Sequence, residues 1–227
     1  MSAPLHVPTP AVQPHEEPAQ RTIFDRMAFL LSAILSPYLV IPIGSLGIIY
    51  GRSLPSQFWL FALISVFFST VMPALYVLLG MARGTITDIH VMERGQRGGP
   101  FLVAIGGGFA AGYILWRLHA PPSVWGLSVL LSINGLVIWA ITWFTKISVH
   151  VSVLSATVLG AIIFHPQIRP WSLLWMIPAL IWARTRRGRH SVWQGAGGCL
   201  VASVVTGTTI MALNLEERLA QVLLRLF

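Results

Sequence analysis

Blocks of about 17 to 26 apolar residues, parted by short polar joints, run along most of this chain. A helix of roughly 20 apolar residues crosses a bilayer, since in lipid every backbone N–H and C=O must be satisfied within the segment. The surface budget agrees: DEKR residues are only 10% of the 227, and mean hydropathy is +0.74. A soluble domain needs roughly a quarter charged residues. Water-soluble enzymes, disordered chains and disulfide scaffolds are excluded. The expected fold is all-α, a polytopic transmembrane helical bundle of about six to seven spans.

Seven apolar segments can be placed, at 28–50, 57–81, 101–118, 123–144, 148–164, 169–182 and 191–213, the fifth and sixth being the shortest. Residues 1–22 are Pro-rich and polar, and read as a disordered tail with no cleaved-signal pattern. Residues 23–213 form the membrane domain. Residues 214–227 alternate apolar and charged positions with helical period, as an interfacial amphipathic helix does. The triplet Gly106-Gly107-Gly108 lacks the strand before it and the Lys-Ser/Thr after it that a nucleotide loop needs, so it reads as close helix packing. Trp116, Trp143, Trp171 and Trp182 stand at span ends, where interface anchors are expected.

Net charge is +8, from 15 Lys+Arg against 7 Asp+Glu, and all the cations but Lys146 are arginine. With the cations in short joints and no basic soluble domain, a nucleic-acid partner is not expected. Seven spans place Arg21, Arg26, Arg83, Arg94, Arg97, Lys146, Arg184, Arg186, Arg187 and Arg189 on one side, against five arginines on the other. The positive-inside rule makes the richer side cytoplasmic. The lone Cys199 can form no internal disulfide.

Three polar segments fall on that side. The first, residues 87–100, carries Arg94 and Arg97, which share a face if the segment is helical. The second is Lys146-Ile147-Ser148-Val149-His150, in which Lys146 and His150 are four apart. The third runs from Arg184 to Gln194, with His190 and Gln194 again four apart. Two histidines, several cations and a hydroxyl at one membrane face, with few acids, suit a phosphate. Beyond the tail, the acids on that side are read as Asp88 and Glu93. His90, His119 and His165 have no partners at metal-ligand spacing, and no metal or cofactor is expected.

The third segment resembles the Ser-Arg-(five residues)-His-(three residues)-Asp signature of the type 2 phosphatidic acid phosphatase superfamily, the lipid phosphate phosphatases. Arg184, His190 and Gln194 keep that spacing, with Ala183 in the Ser place and Gln194 in the Asp place. Ser148-Val149-His150 is similar to the family's Pro-Ser-Gly-His, with Ile147 for Pro and Val149 for Gly. Arg94, Arg97 and Pro100 loosely echo the first signature, Lys-(six residues)-Arg-Pro, without its spacing. The likeness covers residues 83–195. It implies a metal-independent phosphatase in which His190 is the nucleophile, His150 the general acid and base, and Arg94, Arg97, Ser148 and Arg184 the phosphate binders. Lys146 joins them because it shares a helical face with His150. In the family's Asp place, Gln194 can accept the ring N–H of His190 but offers no full charge; Asp88 is a conceivable source of it.

The expected partners are thus a lipid phosphate or diphosphate, isoprenoid lipids included, and the surrounding membrane lipids. The competing reading is a lipid-phosphate-binding or scaffold subunit made inactive by Gln194. A magnesium-dependent prenyltransferase would need paired Asp-rich motifs, which the chain lacks. No isolated intramembrane charge marks a transport pathway.

Overall fold

The computed structural model describes residues 22–89, 91, 93–165 and 171–213. The expected tail, up to residue 21, and the expected C-terminal helix 214–227 lie outside the described residues. Within them the chain is helical, with no strand.

The first expected span is two helices, α1 (Ile23–Ile34) and α2 (Pro37–Arg52), bent by 51° at the joint. The reason is local. Proline disfavours helical backbone in the residue before it, and Ser36, before Pro37, is extended at ψ 152°. Helix α1 starts with a reciprocal capping box between Thr22 and Asp25.

The second span is one rod, α3 (Pro55–Val66) and α4 (Met72–Ala82), joined through a π turn at Phe67–Val71. Pro73 follows directly. Its ring clashes with the carbonyl of the preceding turn and it has no N–H to donate, so a widened turn accommodates it without a break.

Helices α5 (Gly98–Arg117) and α6 (Pro122–Phe144) make the largest helix pair of the bundle. A β-carbon on Gly107 would collide with the Phe68 carbonyl, and one on Gly108 with the Ser132 hydroxyl. Two members of the glycine triplet therefore let backbones approach, which matters in lipid, where burying leucine brings little gain over leaving it among acyl chains.

Helix α7 (Val149–Phe164) is the centre. Twelve of its 16 residues are buried, ringed by α2, α6 and α10 (Val192–Ala212). At 16 residues it is about 24 Å long at 1.5 Å per residue, short of the roughly 30 Å hydrocarbon core. Leu115, Leu130, Leu154, Phe164, Leu180 and Ile210 join one apolar core through five helices. The sixth expected segment is divided into α8 (Trp171–Leu174) and α9 (Met176–Arg186).

Four helices among the described residues are long and apolar enough to cross a membrane: Pro55–Ala82, Gly98–Arg117, Pro122–Phe144 and Val192–Ala212; the bent α1–α2 pair is a fifth if it is one broken span. The molecule is a helical, multi-pass membrane protein. Large apolar side chains such as Leu63, Leu79 and Leu200 are exposed along these helices, as lipid-facing residues are.

Candidate functional site

The site grows from the turn between α9 and α10. At the end of α9 the Arg189 N–H bonds the Arg184 carbonyl at 3.1 Å and the Gly188 N–H bonds the Thr185 carbonyl at 2.9 Å. This is a Schellman motif with Gly188 left-handed at φ 62°. His190 follows, its N–H 3.4 Å from the same Arg184 carbonyl. Arg184 and His190 are thus locked at opposite ends of one closed turn.

Ser191 then caps α10. Its hydroxyl accepts from the Gln194 N–H at 3.2 Å, and its own N–H donates to Gln194 Oε1 at 3.2 Å. That second bond settles the amide's orientation, because a backbone N–H must meet the oxygen. The His190 Nδ1 lies 3.1 Å from the same Oε1. Facing an acceptor, Nδ1 must carry the proton, which leaves Nε2 with a free lone pair.

The second segment meets the third through backbone. The Ser148 N–H donates to the Gln194 carbonyl at 3.2 Å. A β-carbon on Gly198 would lie 2.8 Å from the Ser148 carbonyl oxygen, so that glycine is what lets α7 and α10 start side by side. The two positive helix ends therefore converge, a favourable field for an anion. Ser148 is fully buried, and its hydroxyl caps α7 by accepting from the Val151 N–H at 3.5 Å. The expected phosphate binder serves in this geometry as a cap and a joint. His150 is half-buried in the first turn of α7.

In the first segment a 3-10 turn at Arg94–Gln96 leads to α5. Arg97 donates through Nε to the Val91 carbonyl at 2.9 Å. The side chain of Arg94 lies outside the described residues. Gln96 ties the loop together, accepting from Thr87 N–H at 3.0 Å and donating to Glu93 at 2.7 Å.

Electrostatics shows which cations gather. The His190 ring is held below the ordinary histidine pKa of 6.5, by burial first. The Gln194 bond opposes that shift, and the charges of Arg184, Lys146 and Arg97 add to it. One cation from each expected segment therefore acts on one imidazole. Arg184, in the last turn of α9, is lowered to about 10 by burial and by Arg187 and Arg189, and stays charged at neutral pH. Asp88 is not among the charges that act on His190.

One part of the site is absent from the sequence reading. Helix α1 lies along α9. Asp25 pairs with Arg186 at 2.8 Å, Phe29 lies 5.0 Å beneath the Arg187 guanidinium, and Ser32 accepts from Arg184 Nη1 at 3.1 Å. The signal was available in the spacing: 25, 29 and 32 fall on one helical face, behind a capping-box sequence. Among the described residues no three His, Cys, Asp or Glu side chains group to hold a metal. The chain matches no protein-family model, no curated protein and no solved structure.

Proposed function

We propose that the protein is an integral membrane phosphatase that hydrolyses a lipid phosphate or diphosphate, isoprenoid lipids included, through a phosphohistidine at His190. The observation that carries this reading is the His190–Gln194 bond, which leaves Nε2 as a neutral nucleophile within a set of three cations. In the first step Nε2 forms a bond to phosphorus while the bond from phosphorus to the lipid oxygen breaks, and His150 protonates that oxygen. In the second step His150 takes a proton from water, whose oxygen attacks phosphorus and breaks the P–N bond. Arg184, Arg97 and Lys146 stabilise the phosphoryl oxygens, with Arg94 added by its place in the chain. The resemblance to the type 2 phosphatidic acid phosphatases supports the same roles.

In this reading the bundle makes six or seven crossings. Helix α7 is a short crossing sheathed by its neighbours, and α8 with α9 a partial one. The site faces the cytoplasm, because the ten cations of the richer side lie there. A phosphate-headed lipid then reaches the cations laterally, its tail still in the bilayer.

The test is phosphate release by purified protein in detergent, from short- and long-chain lipid phosphates with EDTA present. Release that persists in EDTA and vanishes in His190→Ala is the expected result; unchanged release in that variant overturns it. A second reading is favoured by Gln194 itself, which supplies no negative charge to a ring surrounded by positive ones: a lipid-phosphate-binding subunit without turnover. Binding of a lipid phosphate with no release by the wild type would select it.

A further inference from the structure

We propose that Ser32 is a positioning residue for Arg184: α1 sets which edge of that guanidinium faces a bound anion. The inference rests on the phosphate-site reading and adds to it a part that the resemblance does not contain. A guanidinium has two forked edges, one formed by Nε with Nη2 and the other by Nη1 with Nη2, and either can hold two oxygens of a phosphate. Ser32 takes Nη1 at 3.1 Å, so one nitrogen of the second edge is already engaged. The first is left. Arg184 Nε is buried and makes no hydrogen bond. A buried N–H of a charged group left unmade is expensive, and in a native protein it asks for a ligand.

The arrangement is deliberate in its register. Ser32 is 2% exposed, so its hydroxyl is not a surface contact. Asp25 and Phe29, two turns and one turn before it on the same face of α1, hold Arg186 and Arg187 respectively. Those two arginines are thereby engaged with α1, while the Nε of Arg184 has no hydrogen-bond partner. With Nη1 held, rotation about the last bonds of the side chain is restrained, and the Nε–Nη2 fork keeps one direction. The anion this selects is a tetrahedral oxyanion with two oxygens free for a side-on pair, as a terminal phosphate monoester or the outer phosphate of a diphosphate has.

Orthovanadate is the probe, titrated calorimetrically into the purified full-length protein in detergent, so that turnover is not required. Ser32→Ala is expected to weaken binding about 10-fold, the size of one lost hydrogen bond to a charged group. Ser32→Cys, close in volume but a poor acceptor, should weaken it similarly. In an Arg184→Ala background, Ser32→Ala should have no further effect, a result that general loosening of the fold would not give. The proposal is overturned if Ser32→Ala leaves vanadate binding unchanged, or weakens it equally with and without Arg184. Failure of the site reading looks different. In that case Arg184→Ala binds vanadate as tightly as the wild type, whatever residue stands at 32.

Discussion

A side-chain amide at position 194 does half of what a carboxylate would do there. Its oxygen accepts from His190 Nδ1 and from the Ser191 N–H together, so it fixes both the tautomer and the start of α10. What it cannot supply is a charge to offset the one that grows on the imidazole during attack. In serine proteases the neutral amide in place of the carboxylate costs roughly 10⁴-fold, mainly through the wrong tautomer. Here the Ser191 bond selects the right tautomer, and so the penalty should be smaller. Gln194→Asp is expected to keep both hydrogen bonds and raise single-turnover phosphate release, by about 10-fold if the charge is worth 1.4 kcal/mol. A fall in the rate would show that the negative charge over-stabilises the protonated ring.

The same ring sets the pH dependence. Burial and three neighbouring cations lower the His190 pKa from 6.5, so the neutral, nucleophilic form persists to lower pH than it would in a free histidine. The acid limb of kcat/KM against pH, which reports the free enzyme, should therefore have its midpoint below 6.5. Removing a contributing cation with Lys146→Gln should move that midpoint upward. Stability carries the matching sign: the folded state binds this proton less readily than the unfolded chain, so the His190 contribution is full above 6.5 and is lost as pH falls through the folded value.

At the scale of elements, what was legible in the sequence followed from spacing. Apolar length located the long rods, and the six-residue gap from Arg184 to His190 located the turn that holds the site. The breaks were not legible. Pro37 and Pro73 are both prolines within apolar segments, yet the first bends the chain by 51° and the second is absorbed by a π turn. The residue before Pro37, Ser36, is extended, whereas the one before Pro73, Met72, stays helical, and apolar spacing does not encode which. Nor did the sequence show that Ser148 caps α7. Gly188 is where element geometry can be tested. It stands open, with no atom near enough to clash with a β-carbon, so Gly188→Ala meets only the cost of its left-handed φ of 62°. That cost is about 1–2 kcal/mol. The expected outcome is a lower thermal unfolding midpoint together with a loss of phosphate release, because the turn sets the separation of Arg184 from His190. A normal rate with a lower midpoint would show that the turn can relax without disturbing the site.

At the scale of the whole molecule, hydropathy identifies a multi-pass helical protein. The candidate site draws on α1, α5, α7, α9 and α10, and only part of that set was readable. Residues with conspicuous chemistry announce themselves: histidines, arginines and a glutamine at helical spacing. Supporting residues do not. Ser32 sits in an apolar run and Asp25 at the edge of a polar tail, and neither looks functional until α1 is seen along α9. Arg186 and Arg187, in the arginine cluster, bind a helix of their own chain.

The distance along the chain between these partners has a consequence for biosynthesis. Ser32 and Arg184 are 152 positions apart, and Asp25 and Arg186 are 161 apart. Ribosomes add about 5–20 residues per second, so α1 waits roughly 10–30 s for its partner to leave the exit tunnel. During that wait it is a 12-residue amphipathic helix, too short to cross the bilayer and joined to α2 by a sharp bend. The Ser32–Arg184 bond cannot exist on a nascent chain that ends before α9, so it is among the last contacts of the protein to form.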